Sequence, residues 1–180
     1  MAAFTVIEHD EIGTGGAASW SETGISGSYD RLLLKASIRS EQVNATADGV
    51  LELNGDATTS LYSDTNLFAR TSSVESVNTT SGVGITSWRF PAAWVDAAGD
   101  NVFGNLSVWI PNYANATNFK QVLLTCVSGA DDAQNYVWGT YVTAGLVQIP
   151  GAITAISIAN ASGSDIAEFS TFTLYGVTGA

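Results

Sequence analysis

Little in this chain offers reactive chemistry. Its 180 residues include one Cys, one His, one Met and three Pro, and six Lys and Arg stand against seventeen Asp and Glu. One Cys excludes an intrachain disulfide, so burial alone must stabilise the fold. Cys126 lies inside Val122-Leu123-Leu124-Thr125-Cys126-Val127 and reads as a small buried hydrophobe. His9 sits among acids, in Glu8-His9-Asp10-Glu11, and reads as a solvated residue. One Cys and one His cannot supply a structural zinc site, and a Ser-His-Asp or Cys-His centre needs a His held firmly against a nucleophile, which a solvated His9 near the terminus is not. The net charge of −11 argues against nucleic acid, because phosphate binding needs a cationic surface. No run of about 18 apolar residues suggests a membrane-spanning helix. The opening Met1-Ala2-Ala3-Phe4-Thr5-Val6-Ile7-Glu8 has neither a basic start nor an apolar stretch of signal-peptide length.

What remains is an acidic, Gly/Ser/Thr/Asn-rich chain with strong period-two patterning. Five N-x-[ST] sequons, at Asn44, Asn78, Asn105, Asn115 and Asn160, read as a consequence of that composition. Arg31 to Arg39 shows the alternation best. Leu32, Leu34, Ala36 and Ile38 share one face, and Arg31, Lys35, Ser37 and Arg39 share the other with Leu33. Further strands are expected at Phe4–Glu8, Ala18–Ser21, Gly49–Asn54, Ile85–Phe90, Phe103–Ile110, Phe119–Ser128, Val137–Val142, Ala152–Ala159 and Thr171–Val177, with a weak one at Ser60–Tyr62. Pro91 should close the strand before it. The only helical patch is Ala92–Ala98. About eight principal strands point to an all-β fold, an antiparallel two-sheet sandwich of jelly-roll type. Residues 1–11 read as an N-terminal arm or edge strand and 12–180 as one domain. The least periodic stretch, near 63–84, reads as a loop excursion.

No sequence constellation supports catalysis. GxSxG, HExxH and Walker A signatures are absent, and the acids cannot be paired from sequence. Gly13-Thr14-Gly15-Gly16 opens no helix that would hold a phosphate. Asp131-Asp132 with Gln134 and Asn135 lacks a calcium-loop spacing and reads as a polar turn, as do Asp48 and Asp56. No cofactor or metal is expected. The five Trp, at 20, 88, 94, 109 and 138, read first as core or rim packing. Trp109 lies opposite Leu106, Val108 and Ile110, facing solvent or a partner subunit. Trp94 and Trp88 bracket Pro91 and offer a second aromatic patch.

Three groups of segments, taken in order, resemble small jelly-roll structural subunits of tailed-bacteriophage virions. The first is Ile12-Gly13-Thr14-Gly15-Gly16-Ala17-Ala18-Ser19-Trp20, Thr23-Gly24-Ile25 and Tyr29-Asp30-Arg31 through Arg39. The second is Leu51-Glu52-Leu53-Asn54-Gly55-Asp56, with Tyr62 soon after. The third joins Phe103 through Ala114 to Ala152 through Ile158 and Ser170 through Val177. The resemblance implies a non-enzymatic virion protein with no catalytic residues, assembled in the host bacterial cytoplasm. The leading expectation is a capsid decoration (cement) protein on the outer shell. It would bridge major capsid or other virion subunits as a homo-oligomer, with a trimer expected from lattice symmetry. The alternative is a tail or head-fibre module binding host-surface glycans. A free-standing carbohydrate-binding module and a hydrolase find less support. Candidate contact residues are Phe4, Val6 and Ile7, the cations Arg31, Lys35 and Arg39, and the aromatics Trp94 and Trp109. Strand addition by Phe4–Glu8 onto a partner sheet is one possible mode.

Overall fold

The computed structural model describes residues 3–42, 46–69, 73–82, 84–86, 89–91, 102–128 and 139–179. These hold twelve strands and one short 3-10 turn, η1, at Thr59–Leu61. The strands are β1 Ala3–Glu11, β2 Ser19–Thr23, β3 Arg31–Ile38, β4 Thr46–Leu53, β5 Tyr62–Ala69 and β6 Val74–Gly82. They continue as β7 Arg89–Pro91, β8 Gly104–Pro111, β9 Lys120–Ser128, β10 Gly139–Val147, β11 Ala155–Asn160 and β12 Thr171–Thr178.

The strands form two antiparallel sheets. The larger has the order β1-β12-β3-β8-β9-β10-β5-β6, and the smaller β2-β11-β4-β7. Late strands return between early ones in both. The β8–β9–β10 meander enters between β3 and β5, and β11 enters between β2 and β4. That interleaving is jelly-roll connectivity, so the expected all-β sandwich is present. The inner faces carry the expected alternation. Leu32, Leu34 and Ala36 of β3 lie opposite Ile110, Val108 and Leu106 of β8 in the large sheet. Leu51, Leu53, Ile156 and Ile158 supply the small one. Each fully buried aliphatic side chain stabilises by about 1.5–3 kcal/mol. Trp20 stacks on Phe172 across the core, with ring centroids 4.8 Å apart. Its indole N–H meets the single polar need of that ring by donating to Asp10 Oδ2 at 2.9 Å.

Three sequence expectations need correction. The stretch near 63–84 is not a loop excursion: β5 and β6 pair as a hairpin at the end of the large sheet. Their pattern was hidden because the buried positions of β5 are Tyr62, Asp64, Asn66 and Phe68, while Leu67 points outward. Two polar residues therefore occupy inward positions, and the hydropathy alternation is lost. The strand expected at Ile85–Phe90 splits. Ile85 bridges Leu51, and β7 runs over Arg89–Pro91 with Pro91 opposite Thr46. Proline is accepted there because β7 is the sheet edge. Finally, β10 continues to Val147, past the expected end at Val142, and with β5 and β6 added the described strands number twelve rather than about eight. The patch Ala92–Ala98 and the Asp131–Asn135 turn lie outside the described residues.

Tyrosine hydroxyls and one asparagine fasten the strand ends. Tyr62 donates to Asp56 O at 2.7 Å and accepts from Leu53 N at 3.1 Å. Burial pushes its hydroxyl up to about 12. Tyr113 donates to Ser26 O and accepts from Tyr29 N. Gly176 of β12 leaves room for the Tyr29 ring, which a Cβ there would meet head-on.

Candidate functional site

The small sheet covers one face of the large sheet. Among the described residues nothing covers the opposite face, and its side chains can be placed by register. One cross-strand row runs through all eight strands: Val6, Tyr175, Leu33, Trp109, Leu123, Ala144, Thr65 and Asn78. The next row begins His9, Thr173, Lys35, Ser107 and Thr125, then continues into Val142, Leu67 and Ser76. On the other side of the central row, Phe4, Val177, Arg31 and Pro111 lie abreast. An antiparallel sheet with one wet face normally shows polar residues there. This one shows Phe4 at 58%, Val6 at 55% and Leu123 at 47% exposed.

Charge singles out the same face. Among the cations whose side chains are described, Arg31 and Lys35 are the accessible ones. Lys120 is buried, and its Nζ donates to Asn115 O at 2.7 Å and to Asn118 O. Burial lowers its pKa. Arg31 lies with its guanidinium 5.8 Å from the Trp109 ring centroid, a cation–π contact across neighbouring strands. Elsewhere the surface is acidic. Glu52, on the far side of the small sheet, has a raised pKa from desolvation and then from nearby Asp56. Glu22 is raised by desolvation and then by Glu8.

The face divides into two parts. Over β1, β12, β3 and β8 an apolar row of Val6, Tyr175, Leu33 and Trp109 lies between Phe4 and Arg31 on one side and the polar row His9, Thr173, Lys35 and Ser107 on the other, and Phe4 meets Tyr175 edge-on at 6.3 Å. Beyond Trp109 it sinks into a groove of about 560 Å3, crossing β8, β9, β10, β5 and β6. Among the described residues, no group of three or more His, Cys, Asp and Glu is placed to hold a metal. Cys126 is buried in the core, where desolvation pushes its thiol up to about 12.

Five of the sequence candidates thus converge on one surface: Phe4, Val6, Arg31, Lys35 and Trp109. Two do not. Ile7 occupies the β-bulge between Val6 and Glu8 and packs partly against the core. Arg39 is a correction to the expected basic face. Strand β3 ends at Ile38, so alternation no longer governs the next residue, and Arg39 is buried. Its guanidinium lies 5.4 Å from the Phe103 ring centroid and 3.5 Å from Glu41 Oε1. Its backbone N–H donates to Ser170 Oγ at 3.2 Å. Trp94 lies outside the described residues, as do Trp88 and Trp138. Sequence reasoning missed Tyr175, Leu123 and the groove wall from β5 and β6. Tyr175 and Leu123 sit in strands that had been read correctly, but their cross-strand neighbours depend on pairing order, which no local pattern reveals.

Comparison with known proteins adds no relative. No protein-family description matches the chain, and no curated protein does. The SPRY domain of human HERC1 aligns over 82% of this chain and 86% of that chain, at 8% identity and a TM-score of 0.24. That likeness is too slight to bear on fold or function.

Proposed function

We propose that the chain is a non-enzymatic structural subunit of a bacteriophage virion, a decoration protein on the outside of the capsid shell. It docks through the β1–β12–β3–β8 part of the open face. The observation that carries this reading is the convergence there of exposed Phe4 and Val6 with Arg31 and Lys35, two outward-facing cations of a −11 chain. An exposed apolar patch rimmed by charge marks a contact surface. The two cations select acidic groups on the capsid subunit and repel few partners, since the rest of the surface discourages non-specific adhesion. The ordered likeness of the chain's segments to phage jelly-roll subunits supplies the virion context.

Size bears on how such a subunit holds. Three inter-strand steps of about 4.8 Å and roughly 24 Å of strand length give about 340 Å2 of flat surface. A standard interface buries about 800 Å2 on each partner. One patch is therefore a weak anchor. Several patches carried by one homo-oligomer bind by avidity, which suits a trimer over a symmetric lattice. The test uses shells of the phage that encodes the chain, stripped of this subunit. Purified protein should rebind them, and the double variant Arg31→Glu, Lys35→Glu should not. Full occupancy by that variant would sink the reading.

Residues 3–11 cannot serve as a detachable arm in that test. β1 is paired with β12 from Ala3 to Glu11, and Asp10 holds Trp20. Truncation would strip an edge from the sandwich, so point substitutions at Phe4 and Val6 are the cleaner probes.

A further inference from the structure

The groove beyond Trp109 is distinct from the docking patch, and its chemistry differs. Its depth has a cause in the sequence of the central row. Trp109 and Leu123 stand tall on β8 and β9, Ala144 on β10 is short, and Thr65 and Asn78 rise again on β5 and β6. Beside it, the β5–β6 register shifts between Tyr62 and Asp64, a bulge that bends the edge strand. Three strand steps separate Trp109 from Thr65, about 14 Å. The volume of about 560 Å3 falls within the roughly 300–1,000 Å3 of small-ligand sites.

The lining is amphiphilic and uncharged where it meets solvent. An indole forms one wall, and Ser63, Thr65, Asn78 and Gln121 bring hydroxyl and amide groups around an apolar floor. The charged residue of the lining, Asp64, is 4% exposed, and its Oδ2 accepts from Thr86 N at 3.0 Å. Phosphate or carboxylate ligands would find no cation inside the groove. A flat hydrocarbon would leave the amides and hydroxyls without partners. We infer that the groove binds a neutral saccharide of about two pyranose rings. The C–H face of one ring lies on the Trp109 indole, and its hydroxyls exchange hydrogen bonds with Asn78, Thr65 and Gln121. Arg31, against the same indole, fixes the ring between docking patch and groove.

The inference does not depend on the capsid reading, because it concerns the isolated protein. Tryptophan fluorescence and calorimetry would be recorded against maltose, cellobiose, lactose, chitobiose and mannobiose. At least one should bind, with a change in indole emission. Trp109→Ala should weaken that binding by about tenfold or more, as loss of an aromatic platform implies. Ala144→Leu fills the dip from an exposed position and should abolish binding with the thermal melt unchanged. Asn78→Ala should weaken it without altering the emission of the free protein. The inference is overturned if none of the five disaccharides binds. It is also overturned if binding survives both Trp109→Ala and Ala144→Leu.

Discussion

Asn54 offers the sharpest test of how this sandwich is fastened. It follows β4 with φ at +57°, before Gly55 at +64°, and Asp56 N closes the turn on Leu53 O at 3.2 Å. Its side chain then clamps the segment entering β11. Nδ2 donates to Ala152 O at 2.9 Å, while Oδ1 accepts from Thr154 N at 2.8 Å and Ala155 N at 3.1 Å. Two of these bonds are half-buried and one is exposed. At about 0.5–1.5 kcal/mol net apiece, the three contribute about 2–3 kcal/mol. Asn54→Ala loses them and forces an ordinary side chain into the left-handed region, at about 1–2 kcal/mol more. The sum is about 3–5 kcal/mol. Asn54→Gly loses the same bonds without that strain, though the unfolded chain gains freedom worth about 0.5–1 kcal/mol. The Gly variant should therefore be the more stable of the two by up to about 1 kcal/mol. In a chain of this length 1 kcal/mol moves Tm by about 2–4 °C, so Ala should lower it by about 6–20 °C. Urea denaturation and calorimetry would measure both. An Ala variant within about 0.5 kcal/mol of the parent would refute the clamp, and a Gly variant less stable than Ala would refute the backbone argument.

Three further outcomes follow from buried and titrating groups. The Tyr62 hydroxyl titrates at about 12 in the folded chain against 10.0 unfolded, so its stabilisation is full below pH 10 and lost as pH rises through 12. Tyr62→Phe should start about 1–2 kcal/mol less stable at neutral pH but lose less between pH 10 and 12, as alkaline urea titrations would show. Glu22 and Glu52 have folded pKa values above 4.5, so their contribution is full below that pH and lost as pH rises through the folded values. Together with the relief of a −11 charge, this should raise Tm on going from pH 8 to pH 5, and a fall in Tm would contradict it. The Asp56 shift has the opposite sign but acts only below 3.8. Cys126 should resist thiol reagents in the native state and react fully in denaturant, because burial keeps its thiol protonated; rapid native labelling would show the core to be open.

The parts of the fold visible in the sequence were those whose inward positions are apolar. β3 and β8 alternate cleanly, and the apolar sets Leu32, Leu34, Ala36, Ile38 and Leu106, Val108, Ile110 are the buried ones. β5 was invisible because Asp64 and Asn66 point inward while Leu67 points out, the reverse of the usual signal. The site was half visible for a related reason. Arg31, Lys35 and Trp109 fall on the non-core side of strands that were already located. Their neighbours depend on sheet order, which brings β12 beside β3 across 132 residues of intervening chain (39–170). Arg39 was misplaced because alternation was carried one residue past the end of β3, where Ser40 instead bridges Ile166.

The central claim is that the β1–β12–β3–β8 part of the open sheet face is the docking surface. The most direct measurement is occupancy of stripped shells by the Arg31→Glu, Lys35→Glu variant, counted in cryo-EM reconstructions beside the parent chain. Both substituted positions lie on the open face, where Arg31 is half-buried against the Trp109 ring and Lys35 is exposed, so the variant should stay folded yet leave the shells bare. Rebinding of the parent should also weaken steeply with salt. Equal occupancy of parent and variant, with the subunit seated on the shell through another surface, would contradict the account.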